Sequence, residues 1–537
     1  MNLHKYTKYF VVFSVLIIFV LAIILRLAPL RYNTPFWVDE FSTGTSARMI
    51  LQQGVKIFWE RPPWFESNNA LTYGLTALSF ALFGQSETAA RIPSVLFGSL
   101  VAIAVYFLAR KIHSNTVGII AGLFTATSYC QIVWSVQARS YALLQLLILL
   151  TVWLGIKIVE KTELKVKDLL ILGILCFLGM LTHFMFAFCM ISVFLAIAVA
   201  HRKIFIQFTV SRWYLVLIGV IISLLTLWQI GFINSFLVYI NSSFFLSNNL
   251  WYYHPFLWRE YGLVVFTALL GFGLIAKTAH KPLGIIMMHI VLQLIFVTFF
   301  FGHHMSKYLL PLFPYFFIGM GVFVYEISKM VVHNVGEVRM LRDRGFTTRI
   351  SAILLALGLT VFIIAQGHKF VPKPKAYYSI NHDFREIANI DYNQIYSIVK
   401  KGIAESKGEK VAMIETWPGR AYWYLGEAYM PMYIYRWQDE EGLANGHSKK
   451  TDFTLNSEGE KMVGGGIVFV GEVRDLVLAI QKNTRGYLFV DDDTLPRSVI
   501  DFAEKNLKKE IFLDHYPLDD NPYSIWPATL YSWGFDK

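Results

Sequence analysis

Charge is scarce in this 537-residue chain, where Asp, Glu, Lys and Arg together supply 16% of the residues against 55% hydrophobic. That apolar excess, with a mean hydropathy of +0.48, excludes an ordinary water-soluble globule. Cysteine is scarcer still. Cys130, Cys176 and Cys189 each lie inside an apolar run, which excludes a disulfide framework and a CxxC metal site and leaves the redox compartment unread. No internal repeat is visible. What is abundant is aromatic: 44 Phe, 28 Tyr and 14 Trp suit lipid-facing helices with interfacial rings and exclude a disordered chain.

The formal charge of +11 divides unevenly, with +15 in residues 1–367 and −4 in residues 368–537. Two domains follow: a basic membrane domain over 1–367 and a mildly acidic soluble domain over 368–537. The basic residues sit in short loops between apolar runs, so they read as topology signals and no nucleic-acid partner is expected.

A membrane crossing needs roughly 20 apolar residues in a helix, because unpaired backbone groups cannot be left in lipid. Eleven spans are expected, near 9–29, 92–110, 115–133, 139–158, 167–182, 184–200, 212–234, 261–277, 283–301, 307–329 and 350–367. The run 167–200 is too long for one crossing and divides at Thr182-His183. Lys5 and Lys8, Arg110-Lys111, the KTELKVK loop, Arg202-Lys203, Lys277 with Lys281, and the RMLRDRGFTTR loop then share one side, the cytoplasmic one. The N-terminus is expected inside, the first span retained as an anchor and the tail placed outside. This describes a multi-pass protein of the plasma or inner membrane.

Between the first two spans, residues 31–91 form an external loop with two amphipathic stretches, 41–53 and 70–83, expected to lie flat on the outer surface and to roof a cavity between the spans. The tail alternates strand-like runs (VAMIET, GIVFV, YLFV, EIFLDHY) with helical patterns through GRAYWYL, VRDLVLAIQK and VIDFAEKNLKK, a β/α alternation with a mostly parallel sheet. Gly464-Gly465-Gly466 precedes a strand and so lacks the context of a phosphate-cradling loop.

Chemistry concentrates in RYNTPFWVDEFSTG, where Asp39 and Glu40 follow an aromatic approach directly after the first span. Ionisable groups at a lipid boundary are costly and tied to function, and close carboxylates shift each other so that one serves as a base. The plainer reading is an acidic first turn for the helix over 41–53.

FWVDEFSTG, FGQSETAARIPSVLFGSLVAIAVYFLARKI, WSVQARSYALLQLL, THFMFAF and KYLLPLFPYF, in that order over residues 20–330, resemble the GT-C glycosyltransferases that use polyprenyl-phosphate sugars, the protein O-mannosyltransferase-like and aminoarabinose-transferase-like enzymes. The resemblance implies a GT-C type fold, here a polytopic α-helical membrane protein with a C-terminal extracytoplasmic α/β domain. It implies that Asp39, with Glu40 beside it, deprotonates the acceptor, and that the anomeric centre inverts in one displacement. Many relatives carry Glu before Ala-Arg where this chain has Gln137, which removes a metal or acceptor ligand there.

A sugar leaving a lipid phosphate needs cations at the outer headgroup level. The external candidates are Arg91, Arg139, Lys307 beside Tyr308, and the pair His303-His304; the alternative for Arg139 and Lys307 is snorkelling. His183 bonds substrate or caps its turn. Adjacent histidines need further partners to hold a metal, so no metal ligand and no cofactor is assigned and a divalent ion stays open. Asp491-Asp492-Asp493, after YLFV, resembles the acidic strand end of nucleotide-sugar enzymes, but an acidic turn after a strand is ordinary loop chemistry and the tail is expected outside, away from nucleotide sugars.

The expected activity is transfer of a hexosyl or pentosyl group from a polyprenyl-phosphate carrier to a protein, lipid or polysaccharide acceptor outside the cell membrane. The rival is a polytopic transporter or lipid flippase. That class shows repeated halves and midplane charges, which this sequence lacks.

Overall fold

The structure, a computed structural model, describes residues 3–32, 35–36, 38–58, 69–211, 248–301, 305–338, 345–367, 369–371, 391–434, 453–463, 467–491, 495–515 and 525–535, with isolated positions between 213 and 228. Two compact units emerge. One comprises Met1–Arg31, Glu66–Leu75 and Arg91–Lys375; the other comprises Tyr32–Phe65, Thr76–Ala90 and Ala376–Lys537. Most of the segment between Leu27 and Glu87 thus groups with the tail.

The helices run in chain order as α1 (Leu3–Leu27), α2 (Val38–Gln53), α3 (Ala70–Phe83), α4 (Glu87–Ile112), α5 (Asn115–Thr127), α6 (Tyr129–Ser135), α7 (Tyr141–Val159), α8 (Val166–Met180), α9 (Phe186–Ala200), α10 (Arg202–Ser211), α11 (Leu250–Pro255), α12 (Tyr261–Ile275), α13 (His280–Phe299), α14 (Phe313–Val338) and α15 (Gly345–Gln366). A π-turn, Phe256–Glu260, joins α11 to α12, and a 3-10 turn, Ser306–Leu312, leads into α14. Among the described residues, seven helices are long and apolar enough to cross a membrane, and α5 and α9 are shorter apolar helices. The chain is a multi-pass membrane protein. The expected span 212–234 lies outside the described residues, apart from isolated positions.

Lipid-facing surface is apolar where a soluble protein would be polar. Helix α1 exposes Phe10, Val12, Phe13, Leu16 and Val20 while burying Ile18 and Ala22 against Ala102, Tyr106 and Ala126. Packing at α12 and α14 requires glycine. A Cβ on Gly271 would sit 1.9 Å from the carbonyl oxygen of Gly319, so only bare backbones approach this closely.

Two apolar runs are interrupted by breaks. The run 167–200 breaks at Thr182-His183, as its length required. The span near 115–133 breaks at Ser128, whose neighbours bond to the segment following α15. The Tyr129 N–H donates to the Lys369 carbonyl (2.9 Å), and the Val371 N–H donates to the Thr127 carbonyl (2.7 Å). These bonds replace the helical ones that the break forgoes.

The second unit carries an eight-stranded sheet: β1 (Val411–Glu415), β2 (Tyr429–Ile434), β3 (Thr454–Leu455), β4 (Lys461–Val463), β5 (Ile467–Val470), β6 (Gly486–Val490), β7 (Lys508–His515) and β8 (Ile525–Trp533). Its order is β3-β4-β5-β2-β1-β6-β8-β7, with β5, β2, β1 and β6 parallel and the flanking strands antiparallel. Four helices complete it: α16 (Tyr392–Glu405), α17 (Pro418–Leu425), α18 (Val473–Lys482) and α19 (Arg497–Asn506). Every residue of β1 is buried, as a central parallel strand requires. Its core joins Ile414, Met432, Val470 and Leu488 to Leu476, Val499 and Ala503 of the helices.

Candidate active site

In the membrane unit, Arg139, His183, Lys307 and Tyr308, all singled out by sequence, converge. Arg139 ends the tight turn between α6 and α7, and its carbonyl accepts the Ser94 hydroxyl of α4 (2.9 Å). Arg91 lies one turn earlier on the same face of α4 and is buried. The Arg139 guanidinium carbon is 5.7 Å from the Tyr141 ring, whose centroid is 5.4 Å from the His183 ring and 6.4 Å from the Tyr308 ring. The Lys307 ammonium, itself buried, is 5.5 Å from the Tyr308 ring. Two cations from segments far apart in sequence therefore share one aromatic-walled locality.

His183, in the turn between α8 and α9, is neutral there. Burial, then the positive fields of Arg139 and Lys307, push its imidazole down to about 3. Its Nδ1 accepts the Met185 N–H (3.2 Å), so the turn-capping reading is realised. The capped ring still forms part of the wall beside Tyr141.

The segment bearing Lys307 is held by amides. Pro311 cannot donate to a preceding carbonyl, and the 3-10 turn leaves other carbonyls short of helical partners. The Gln293 side chain of α13 donates to the Tyr308 carbonyl (2.7 Å), and Gln145 of α7 donates to the Leu310 carbonyl. A buried Arg26, not singled out by sequence, likewise holds backbone carbonyls. Its guanidinium donates to the Ser135 hydroxyl at 2.8 Å and to the Ala22 and Ala126 carbonyls at 3.1 and 3.0 Å. It thereby places a cation at the C-terminal end of α5 and pins α6, which leads into the Arg139 turn. The only signal in the sequence was a charge inside an apolar run.

In the second unit, α2 begins at Val38, so Asp39 and Glu40 occupy its first turn, where the helix N-terminus stabilises negative charge. Glu40 is buried and Asp39 half-buried. His303, like His304, lies outside the described residues, as do Gly464-Gly465-Gly466, Asp492 and Asp493. Asp491 is engaged structurally, accepting from Arg420 Nη1 (2.6 Å) and the Thr416 hydroxyl (3.1 Å). Among the described residues, no three His, Cys, Asp or Glu side chains gather as metal ligands.

Residues 71–228 match the sequence profile of the family described as dolichyl-phosphate-mannose-protein mannosyltransferase. Solved structures with a similar fold include ArnT from Cupriavidus metallidurans in the apo state, at 12% identity, with a TM-score of 0.58 and 98% of each chain covered. The same protein bound to undecaprenyl phosphate aligns at 13% identity and a TM-score of 0.57, again over 98% of each chain. The apo oligosaccharyltransferase of Archaeoglobus fulgidus aligns at 11% identity and a TM-score of 0.52, over 97% of this chain and 75% of that one. No curated protein matches the chain by sequence.

Proposed function

We propose that this chain, which shares the fold of the polyprenyl-phosphate-dependent GT-C glycosyltransferases and the mannosyltransferase profile over 71–228, moves one sugar from a polyprenyl phosphate to an acceptor on the extracytoplasmic face. The observation that carries the reading is the pairing of Arg139 and Lys307 in one locality walled by Tyr141, Tyr308 and a neutral His183. Aromatic walls exclude water, and in a low-dielectric setting two fixed cations favour an anion strongly. A lipid phosphate meets that description, and undecaprenyl phosphate is bound by the Cupriavidus protein of the same fold.

The chemistry is a single displacement. The acceptor oxygen bonds to the anomeric carbon while the bond from that carbon to the phosphate oxygen breaks, inverting the centre. Asp39 takes the acceptor proton, and the polyprenyl phosphate departs with the bonding electrons, its growing charge met by Arg139 and Lys307. Arg91, one turn from Ser94, lies on the α4 face that reaches the same turn. Topology follows the distribution of basic loops, with the N-terminus cytoplasmic and the tail outside.

Purified protein in lipid, given a panel of labelled polyprenyl-phosphate hexoses and pentoses with candidate protein, lipid and glycan acceptors, tests the reading. One donor is expected to lose its sugar to an acceptor. Carrier flipping in liposomes with no release or transfer from any donor would instead establish the transporter reading.

A further inference from the structure

The tail sheet has the topology in which α/β domains hold ligands. From β1 the chain passes through α17 to β2 and then to β5, before α18 returns it to β6 on the other side of β1. The crevice where the connections diverge lies at the carboxyl ends of β1 and β6. Here it is filled by the chain itself. Arg420 of α17 donates through Nε to Glu415 at the end of β1 (3.0 Å) and through Nη1 to Asp491 just after β6 (2.6 Å), and the Ala421 N–H donates to Glu415 (2.9 Å). Its guanidinium lies against the Tyr392 and Phe489 rings, at 4.9 and 4.5 Å.

With α17 locked onto the sheet, its remaining groups grip α2. The Thr45 hydroxyl donates to the Gly419 carbonyl (3.3 Å), and Arg48 Nη1 donates to the Trp423 carbonyl (2.9 Å) in the last turn of α17, where helix carbonyls lack partners. The Arg48 guanidinium stacks 4.2 Å from the Trp423 ring, and Phe36 packs 4.9 Å from the same ring. Trp423 also donates through Nε1 to Glu87 of α4 (3.0 Å) and stacks on Phe80 of α3. Phe41 meets Tyr392 and Tyr424 edge-on. The approach is close enough that a Cβ on Gly44 would lie 2.6 Å from the Phe36 ring and 3.2 Å from Trp423.

We propose that α17 is a clamp on the acid-bearing helix, with Trp423 and Arg48 as positioning residues for Asp39. The inference rests on the reading of Asp39 as the base. Phe41, Thr45 and Arg48 follow the i, i+4, i+7 spacing and so form one stripe, the face that the tail grips. At about 100° per residue, Asp39 projects roughly 160° from that stripe, on the opposite face. The clamp thus fixes the axial position and rotation of α2 while turning its acid away from the tail. The tail thereby contributes to the reaction by positioning the acid-bearing helix.

The test uses the full chain in lipid. Trp423→Ala and Arg48→Ala are expected to lower kcat by about 100-fold, the scale of an ångström-level misplacement, with donor affinity unchanged. Adding Thr45→Cys and Gly419→Cys to the Trp423→Ala chain then re-creates the tether as a disulfide. Position 419 has open space for a side chain, and the native cysteines are buried. Oxidation is expected to restore most of the rate and reduction to remove it again, a response that a mere folding defect would not give. Wild-type kcat in Trp423→Ala and Arg48→Ala would overturn the clamp. So would a disulfide that forms in full without recovery of the rate. Failure of the Asp39 reading is separately visible: Asp39→Asn would keep its activity while the cysteine pair still cross-linked in the chain with Trp423 and Arg48 intact.

Discussion

Asp39→Asn lowers sugar transfer by about 100- to 10,000-fold, the contribution of a positioned general base. The amide has the same shape as the carboxylate and keeps an acceptor oxygen, but it cannot take a proton from the acceptor. It removes one negative charge from the first turn of α2, which the macrodipole favours by a few tenths to about 1 kcal/mol, so the fold persists. Transfer rates and donor affinity measured on the same preparation separate the two effects, with kcat falling and carrier binding remaining. Glu40→Gln is a different experiment. That side chain is only 1% exposed, so its replacement disturbs packing around α2 before it touches chemistry.

Arg420→Met is the largest stability effect expected in the tail. Arg420, Glu415 and Asp491 are each no more than 2% exposed, and the arginine is the cation that answers both carboxylates. Removing one member of a buried ionic set leaves uncompensated charge and costs about 3–5 kcal/mol. In the native tail, burial opposes the charge on Arg420, but Asp491, Tyr396 and Glu415 outweigh it and raise its pKa. Burial likewise lifts Glu415 above the usual carboxylate range, against the pull of Arg420, the Tyr396 hydroxyl and the Ala421 N–H. Without Arg420 that upward shift grows. A carboxylate whose folded pKa is raised holds more protons in the folded state, so the variant is most stable in acid and loses stability as the pH rises through the folded pKa of Glu415. Thermal unfolding of the full chain between pH 4 and 8 should show that slope steeper than in the unaltered protein. An equal slope would mean that Glu415 is not answered by Arg420.

Much of the fold was legible in the sequence because lipid imposes so strict a rule. An apolar run of the right length has few alternatives, and α1, α4, α7, α13 and α15 fall where hydropathy placed them. The tail was read less completely. Strands β2 and β8 went unseen because Pro431 and Pro527 interrupt them, and proline within a run argues against a strand. Helix α16 carries a plain stripe of Tyr392, Ile395, Tyr396 and Val399.

The cluster of Arg139, Lys307 and His183 was legible for a different reason. Arg139, Lys307 and His183 were found because charges and imidazoles stand out against apolar surroundings. Their supports, Arg26, Gln145 and Gln293, act on backbone carbonyls, and nothing local in sequence shows which carbonyls a break will free. Least legible was the grip of Trp423 on α2. Arg48 and Trp423 are 375 residues apart, and the small residues of FSTGTSAR, which permit the close approach, look in sequence like part of a catalytic motif.

Equilibrium binding of polyprenyl phosphate in lipid nanodiscs, compared across the unaltered chain, Arg139→Gln and Lys307→Gln, addresses the central claim most directly. Hydrogen bonds to a charged group contribute about 1.5–3 kcal/mol each, so either substitution should weaken binding by at least about tenfold. Affinity that is the same in all three proteins would mean that the two cations do not receive the carrier's phosphate.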